Sequence, residues 1–230
     1  MGEEKSPRPS LHEGAWSGQS CYVIGGGPSL KDFRWDCLKP RKNVIAINRA
    51  FLDCPWADVF FTEDLRVIEL YCLRPEWKAF QGVRAYHALS PDQKAKALAL
   101  DPDLFIIERQ REDKFWSKRF ADGLSLSSNS MIGALNMVDI LGADPIFILG
   151  LDCNRTGGKV TNYHPDYERA GFERTGDDQY ESFASDFKWW AALHLREKQV
   201  YNLNKLSAVD CWPKLDRDIF FLSMGAGLLA

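Results

Sequence analysis

Short apolar runs, each closed by glycine or polar residues, recur along the chain and alternate with stretches of helical spacing. Cys21-Tyr22-Val23-Ile24 is the first such run, and Gly25-Gly26-Gly27 ends it. Runs of this length that are apolar throughout predict strands buried on both faces. Asn43 to Ile47 and Ala57 to Phe61 predict the second and third strands, which end in Asn48-Arg49 and Thr62-Glu63-Asp64. Val83 to Leu89, Leu104 to Ile107, Pro145 to Leu149 and Gln199 to Leu203 complete the set.

Between them the spacing changes. Leu30, Phe33, Trp35 and Leu38 predict a short helix over Leu30 to Leu38. Leu65, Ile68, Leu70 and Tyr71 predict another, with Asp64 as its N-cap and an end before Pro75. A Lys- and Ala-rich stretch, Gln93 to Leu100, separates the fourth and fifth strands. Ser127-Ser128-Asn129-Ser130 reads as a capping cluster ahead of Met131, Leu135, Val138, Ile140 and Leu141, and Gly142 closes that helix. A last helix is expected from Gln179 to Lys198. The intervening stretch, Cys153 to Asp178, is too long for a bare connection and has the character of a lid. Nothing regular is expected after Leu203.

Apolar strands alternating with helices specify an α/β fold: a Rossmann-like, mostly parallel sheet with helices on both faces, in a single domain with a lid-like loop. The expected organisation is a flexible N-terminal arm over residues 1–19, a main domain over 20–222 and a tail over 223–230. A chain of 230 residues suits one such core.

Composition narrows the function classes without choosing among them. A hydrophobic fraction of 45% with 27% charged residues is that of a globular protein. The net charge of −3 argues against a surface that is cationic throughout, which leaves only a local groove for nucleic acid. The six cysteines form no CxxC pair, so the expected setting is a reducing cytoplasm. No stretch has the ~18 apolar residues of a spanning helix. Homo-oligomeric assembly stays open.

In a parallel sheet ligands sit at the carboxyl ends of strands, so the residues after each strand carry the candidate chemistry. Gly25-Gly26-Gly27-Pro28-Ser29 lies between a strand and a helix, where exposed amides can hold a phosphate. It has neither the GxGxxG spacing of dinucleotide folds nor the Gly-Lys-Ser/Thr ending of a P-loop. Asn48 can hold a ribose, base or phosphate oxygen, or can simply cap a turn. Ser128, Asn129 and Ser130 can hold an anion or a base edge at a helix N-terminus. After Gly150, Asp152 can fix a ribose hydroxyl, orient a sugar or bind Mg²⁺. His164 is placed to act as a general base on a hydroxyl acceptor, with Tyr163 beside it. Arg109, Lys114 and Trp116 mix cations with an aromatic and are candidate acceptor contacts, although acidic neighbours dilute the cluster.

Val23 to Leu30, Ile47-Asn48, Ser128-Asn129-Ser130, Leu141-Gly142 and Ile148 to Asp152, in this order, resemble the superfamily of bacterial lipooligosaccharide sialyltransferases, motility accessory factors and archaeal hydroxymethylpterin pyrophosphokinases, which includes phage-encoded relatives. The likeness covers roughly residues 20 to 210 and rests on short motifs. It departs at Gly26, where that family usually has Asn, and at Asp177-Asp178, where its catalytic histidine belongs. The resemblance implies that Gly25, Gly27, Ser29 and Asn48 hold the donor nucleotide without metal. The leading expectation is therefore a glycosyltransferase using a CMP- or UDP-linked sugar, with His164 or Asp152 as the base. Its acceptor is a hydroxyl of DNA (a hydroxymethylated base in phage DNA, for instance), a glycan or a small metabolite. The alternatives are an ATP- and Mg²⁺-dependent pyrophosphokinase acting on a hydroxymethyl compound and a non-catalytic nucleotide-binding module.

Overall fold

The computed structural model describes residues 11–110, 115–125, 129–154, 162–172 and 176–226. Seven strands form one all-parallel sheet: β1 (Cys21–Ile24), β2 (Val44–Ile47), β3 (Val59–Thr62), β4 (Val83–Ala88), β5 (Phe105–Glu108), β6 (Ile146–Leu149) and β7 (Val200–Asn202). Their spatial order is β5-β4-β3-β2-β1-β6-β7. The chain thus steps outward from β1 to one edge at β5, then returns to lay β6 and β7 on the other side of β1. That return makes the β1/β6 boundary a topological switch point, where loops from neighbouring strands diverge and leave a crevice.

Period-2 alternation assigns the strand side chains to two cores. Cys21 and Val23 of β1, Ile45 and Ile47 of β2 and Ile146 and Ile148 of β6 pack on one face, with the helix Ser130–Leu141 among their neighbours. Tyr22, Ile24, Val44, Ala46, Phe147 and Leu149 pack on the other. Burial on both faces explains why these strands read as continuous apolar runs. On the second face lie α1 (Leu65–Tyr71), α2 (Pro75–Ala79), α3 (Pro91–Leu100) and the C-terminal α8 (Arg217–Ala226). The first face is covered by α4 (Ser130–Leu141) and by part of a compound helix that runs as α6 (Asp177–Asp186), a π-helical turn (Phe187–Ala191) and α7 (Ala192–His194). A short helix α5 (Asp166–Arg169) lies within the stretch expected to be a loop.

The caps follow local chemistry. Asn129 accepts from the Ile132 N–H at 3.2 Å and opens α4, while Gly142 closes it at φ +81°. Asp64 caps α1 through the Arg66 N–H, and Ser90 caps α3 through the Gln93 N–H. Three expectations are revised. The helix expected over Leu30 to Leu38 is two short 3-10 turns, Pro28–Leu30 and Trp35–Leu38, because Asp32 between them takes a left-handed conformation at φ +61°. The helix expected over Gln179 to Lys198 begins at Asp177, widens to π geometry and ends at His194. The stretch expected to be irregular carries α8, whose buried Phe221 docks against Tyr22 and Phe33.

Candidate functional site

The ends of β1, β2 and β6 lie level, since Ile24 is in register with Ala46 on one side and with Leu149 on the other. Their exits, Gly25, Asn48 and Gly150, therefore gather at one place. A cleft of ≈790 Å³, its solvent side included, opens there. Its wall takes in Gly25 to Pro28, Asn48, the α4 start at Asn129 to Met131, Gly150 to Cys153, His164, and the aromatic side chains Tyr167, Tyr180, Phe183 and Phe187.

The glycine turn is held mostly by the neighbouring strand exit. Gly25 N–H donates to Leu149 O at 2.8 Å and Gly27 N–H to Gly150 O at 3.0 Å. Ser29 donates twice to Asp152, from its N–H to Oδ1 at 3.0 Å and from Oγ to Oδ2 at 2.8 Å, and Asn204 Nδ2 donates to Oδ1 at 3.0 Å. A Cβ on Gly27 would lie 1.9 Å from Asp152 Oδ2, so that residue is glycine because the carboxylate fills its side-chain space. Gly150 sits at φ +67°, and a Cβ there would meet Leu30 at 2.7 Å. The turn's amides are thus largely committed within the fold. With Pro28 lacking an N–H, Gly26 N–H is the one amide of Gly25 to Ser29 left without a partner among the described residues.

Asp152 is accordingly a brace. It is 2% exposed and fastens the β6 exit to the turn after β1 and, through Asn204, to the turn after β7. Burial pushes its carboxyl up, against the opposing pull of the Ser29 and Asn204 donors. Both oxygens already accept hydrogen bonds, which leaves this residue poorly placed to take a substrate proton.

Asn48 is arranged differently. It follows β2 at φ +55°, a region that costs a side chain with a Cβ, and its Oδ1 is sealed from solvent with no hydrogen-bond partner. Among the described residues four non-glycine positions have positive φ, and two of them, Asn48 and Cys153, line this cleft. Backbone strain beside an unsatisfied buried acceptor is the pattern of a binding position.

His164 lies across the cleft and is 8% exposed. The rings of Tyr163 and Tyr167 stand edge-on to it at 5.1 and 4.6 Å, and its Nδ1 accepts from the Asp166 N–H at 3.3 Å. Burial, then the Arg49 guanidinium, push its pKa down to about 4, while the Asp166 carboxylate pulls the other way. The segment carrying His164 is tied down by Arg49, which bonds the Asp166 carboxylate at 3.0 Å through Nε and also pairs with Asp53. Tyr163 O–H donates to Asp53 at 2.8 Å, and Tyr71 O–H donates to Asp166 at 3.3 Å.

The other sequence candidates separate clearly. Asn129 and Ser130 line the cleft. Tyr163 packs behind it, against Trp35 at 5.7 Å, and anchors the segment rather than facing the opening. Ser29 turns toward Asp152. Arg109 follows β5, at the sheet edge with three strands between it and β1, its N–H is bonded to Ala88 O, and it takes no part in the cleft wall. Trp116 is corrected from acceptor contact to core: it is 8% exposed, donates to Asp139 at 2.8 Å and stacks on His194. Ser128 and Lys114 lie outside the described residues. Sequence reasoning missed Arg49, Asn204 and the aromatic wall, although Tyr180, Phe183 and Phe187 stand at the three- and four-residue spacing that marks one helix face. Among the described residues no group of three or more His, Cys, Asp or Glu side chains is gathered as a metal site.

Compared with family models, curated proteins and solved structures, the chain matches none of them significantly.

Proposed function

We propose that the β1/β6 cleft binds a nucleotide and that the protein is a transferase moving a glycosyl group from a CMP- or UDP-linked sugar to a hydroxyl acceptor. The observation that carries this reading is Asn48: a strained asparagine with a sealed, unsatisfied Oδ1 at the edge of a switch-point cleft. A turn of that side chain would carry the unpaired oxygen into the cleft, where a ribose hydroxyl or a base amino group supplies the missing donor. Tyr180 and Phe183, both half-buried, offer a surface on which a base can stack. The Gly26 N–H and the start of the 12-residue helix α4 favour negative charge at the phosphate end. The motif resemblance supports the same reading.

In the reaction so assigned, the bond between the sugar and the phosphate oxygen breaks with its electron pair left on that oxygen. A new bond forms from the sugar to the acceptor oxygen, and the acceptor proton passes to water. Thermal denaturation with CMP, UDP, GDP and ATP, each with and without Mg²⁺, tests the assignment, because a ligand of the folded state raises the melting temperature. A rise with CMP or UDP that Asn48→Ala removes is the expected result. A rise confined to ATP with Mg²⁺ would point to the pyrophosphokinase instead, and no rise with any nucleotide would end the nucleotide reading.

A further inference from the structure

His164 carries an assignment opposite to the one its sequence position suggested. In a neutral imidazole one ring nitrogen bears the proton and the other accepts. The Asp166 main-chain N–H can only donate, and it points at Nδ1 from 3.3 Å. Nδ1 is therefore the acceptor, which puts the proton on Nε2. Nε2 has no hydrogen-bond partner among the described residues, and His164 lines the cleft. The groups around the ring reinforce this state. Tyr163 and Tyr167 enclose it with edge-on rings, and the Arg49 guanidinium opposes a second positive charge. Asp166 is the acid that would favour protonation, but its carboxylate is bonded to Arg49 and Tyr71, and its contact with the ring is through the backbone N–H.

We infer that His164 is a fixed, neutral Nε2–H donor that grips an oxygen of the bound phosphate, and that it is not the base that deprotonates the acceptor. The inference rests on the nucleotide reading for the identity of its ligand, while the proton's location stands on the unliganded protein alone. The role suits the transfer proposed above, since the leaving oxygen gains charge as the sugar bond breaks and a donor aimed at it stabilises that charge. No proton changes hands at His164 in this scheme. A low-pKa imidazole is a poor base toward a hydroxyl but remains a competent hydrogen-bond donor at neutral pH.

Two measurements test it. Long-range ¹H–¹⁵N spectra of the nucleotide-free protein report which ring nitrogen is protonated. The Nε2–H tautomer, persisting as the neutral form down to pH 5, is expected; an Nδ1–H tautomer or an imidazolium at pH 6 would overturn the assignment. Calorimetric binding of CMP and UDP then compares two substitutions, each first checked for cooperative unfolding. Glutamine places an amide N–H near the Nε2 position, so His164→Gln should bind within about threefold of wild type, whereas His164→Ala should bind about tenfold more weakly. Equal losses in the two variants would overturn the donor role. If the wild type binds neither nucleotide, the phosphate contact falls together with the nucleotide reading, and the spectra alone then judge the tautomer.

Discussion

Two histidines stand near the carboxyl ends of this sheet, one at the β3/β4 exits and one over the β1/β6 cleft, and only one leaves a nitrogen to spare. His87, on β4, is wholly buried. Its Nδ1 lies 2.8 Å from Glu63 Oε1 and its Nε2 accepts from the Leu124 N–H at 3.4 Å, so both nitrogens are used within the fold. His164 uses Nδ1 alone. Two buried histidines thus differ in how many ring nitrogens the fold satisfies. The same contrast divides the two asparagines Asn129 and Asn48. Asn129 caps α4 with its side-chain oxygen, whereas Asn48 leaves that oxygen unpaired.

The sharpest way to break the comparison is His87→Ala. It strands the Glu63 carboxyl, which burial already pushes upward, and deprives the Leu124 N–H of its acceptor. Removing one partner of a buried pair costs about 3–5 kcal/mol. Chemical denaturation should show a loss of that size, while nucleotide affinity of the folded fraction stays at the wild-type value. A loss under about 1 kcal/mol would mean that the β3/β4 pair is not the structural counterpart described here.

Acid provides the next largest effect, and it acts through His164. Its pKa is pushed down to about 4, mainly by burial and then by Arg49, whereas an unfolded histidine titrates near 6.5. Below pH ~6.5 the unfolded chain takes up a proton that the folded one refuses. The stabilising contribution is thus complete above that pH and is lost as pH falls toward the folded value. Across this window the loss is on the order of 3 kcal/mol. His164→Gln has no such group, so its stability should fall less between pH 7 and 4.5 than that of wild type. Parallel pH curves for the two proteins would contradict the buried neutral imidazole.

Gly27→Ala addresses the brace itself. The new methyl cannot coexist with Asp152 Oδ2 at 1.9 Å, so the carboxylate must leave Ser29 or the turn must move. Such overpacking costs about 1–3 kcal/mol. Because the turn forms one wall of the cleft, stability and nucleotide-induced stabilisation should fall together, as thermal denaturation with and without nucleotide would show. A stability loss with unchanged nucleotide response would detach the turn from the binding site.

The cleft wall also shows what the chain reveals before folding. The Gly25 to Gly27 turn, Asn48, Asn129 and Asp152 were legible because each follows an apolar strand or precedes an apolar helix, and a parallel sheet brings strand exits to one edge. Their roles were less legible. Whether Asp152 offers its oxygens to a ligand or to Ser29 and Asn204 depends on contacts 123 and 52 residues apart, which no local spacing records. Trp116 looked like a surface aromatic among cations because its neighbours in sequence are charged; its partners Asp139 and His194 are distant in the chain. The aromatic wall escaped because Tyr180, Phe183 and Phe187 look like an ordinary core-facing stripe until the π-helical turn and the strand exits fix what lies opposite.

Asn48→Gly carries the smallest energy and draws the finest distinction, because the two readings of Asn48 predict opposite signs. If the asparagine served only the fold, removing its side chain would destabilise the protein. As a binding residue it holds a conformation at φ +55° that glycine adopts freely, and it buries an acceptor that nothing in the described fold satisfies. Glycine relieves both penalties but gives the unfolded chain more freedom, so the net gain in stability should be about 0.5–1 kcal/mol. Nucleotide affinity should fall about tenfold, the equivalent of about 1.4 kcal/mol and in keeping with one lost hydrogen bond. Denaturation and calorimetry on the same preparation would read both quantities. A protein made less stable with its affinity intact would return Asn48 to the scaffold and leave the cleft without the residue on which its assignment stands.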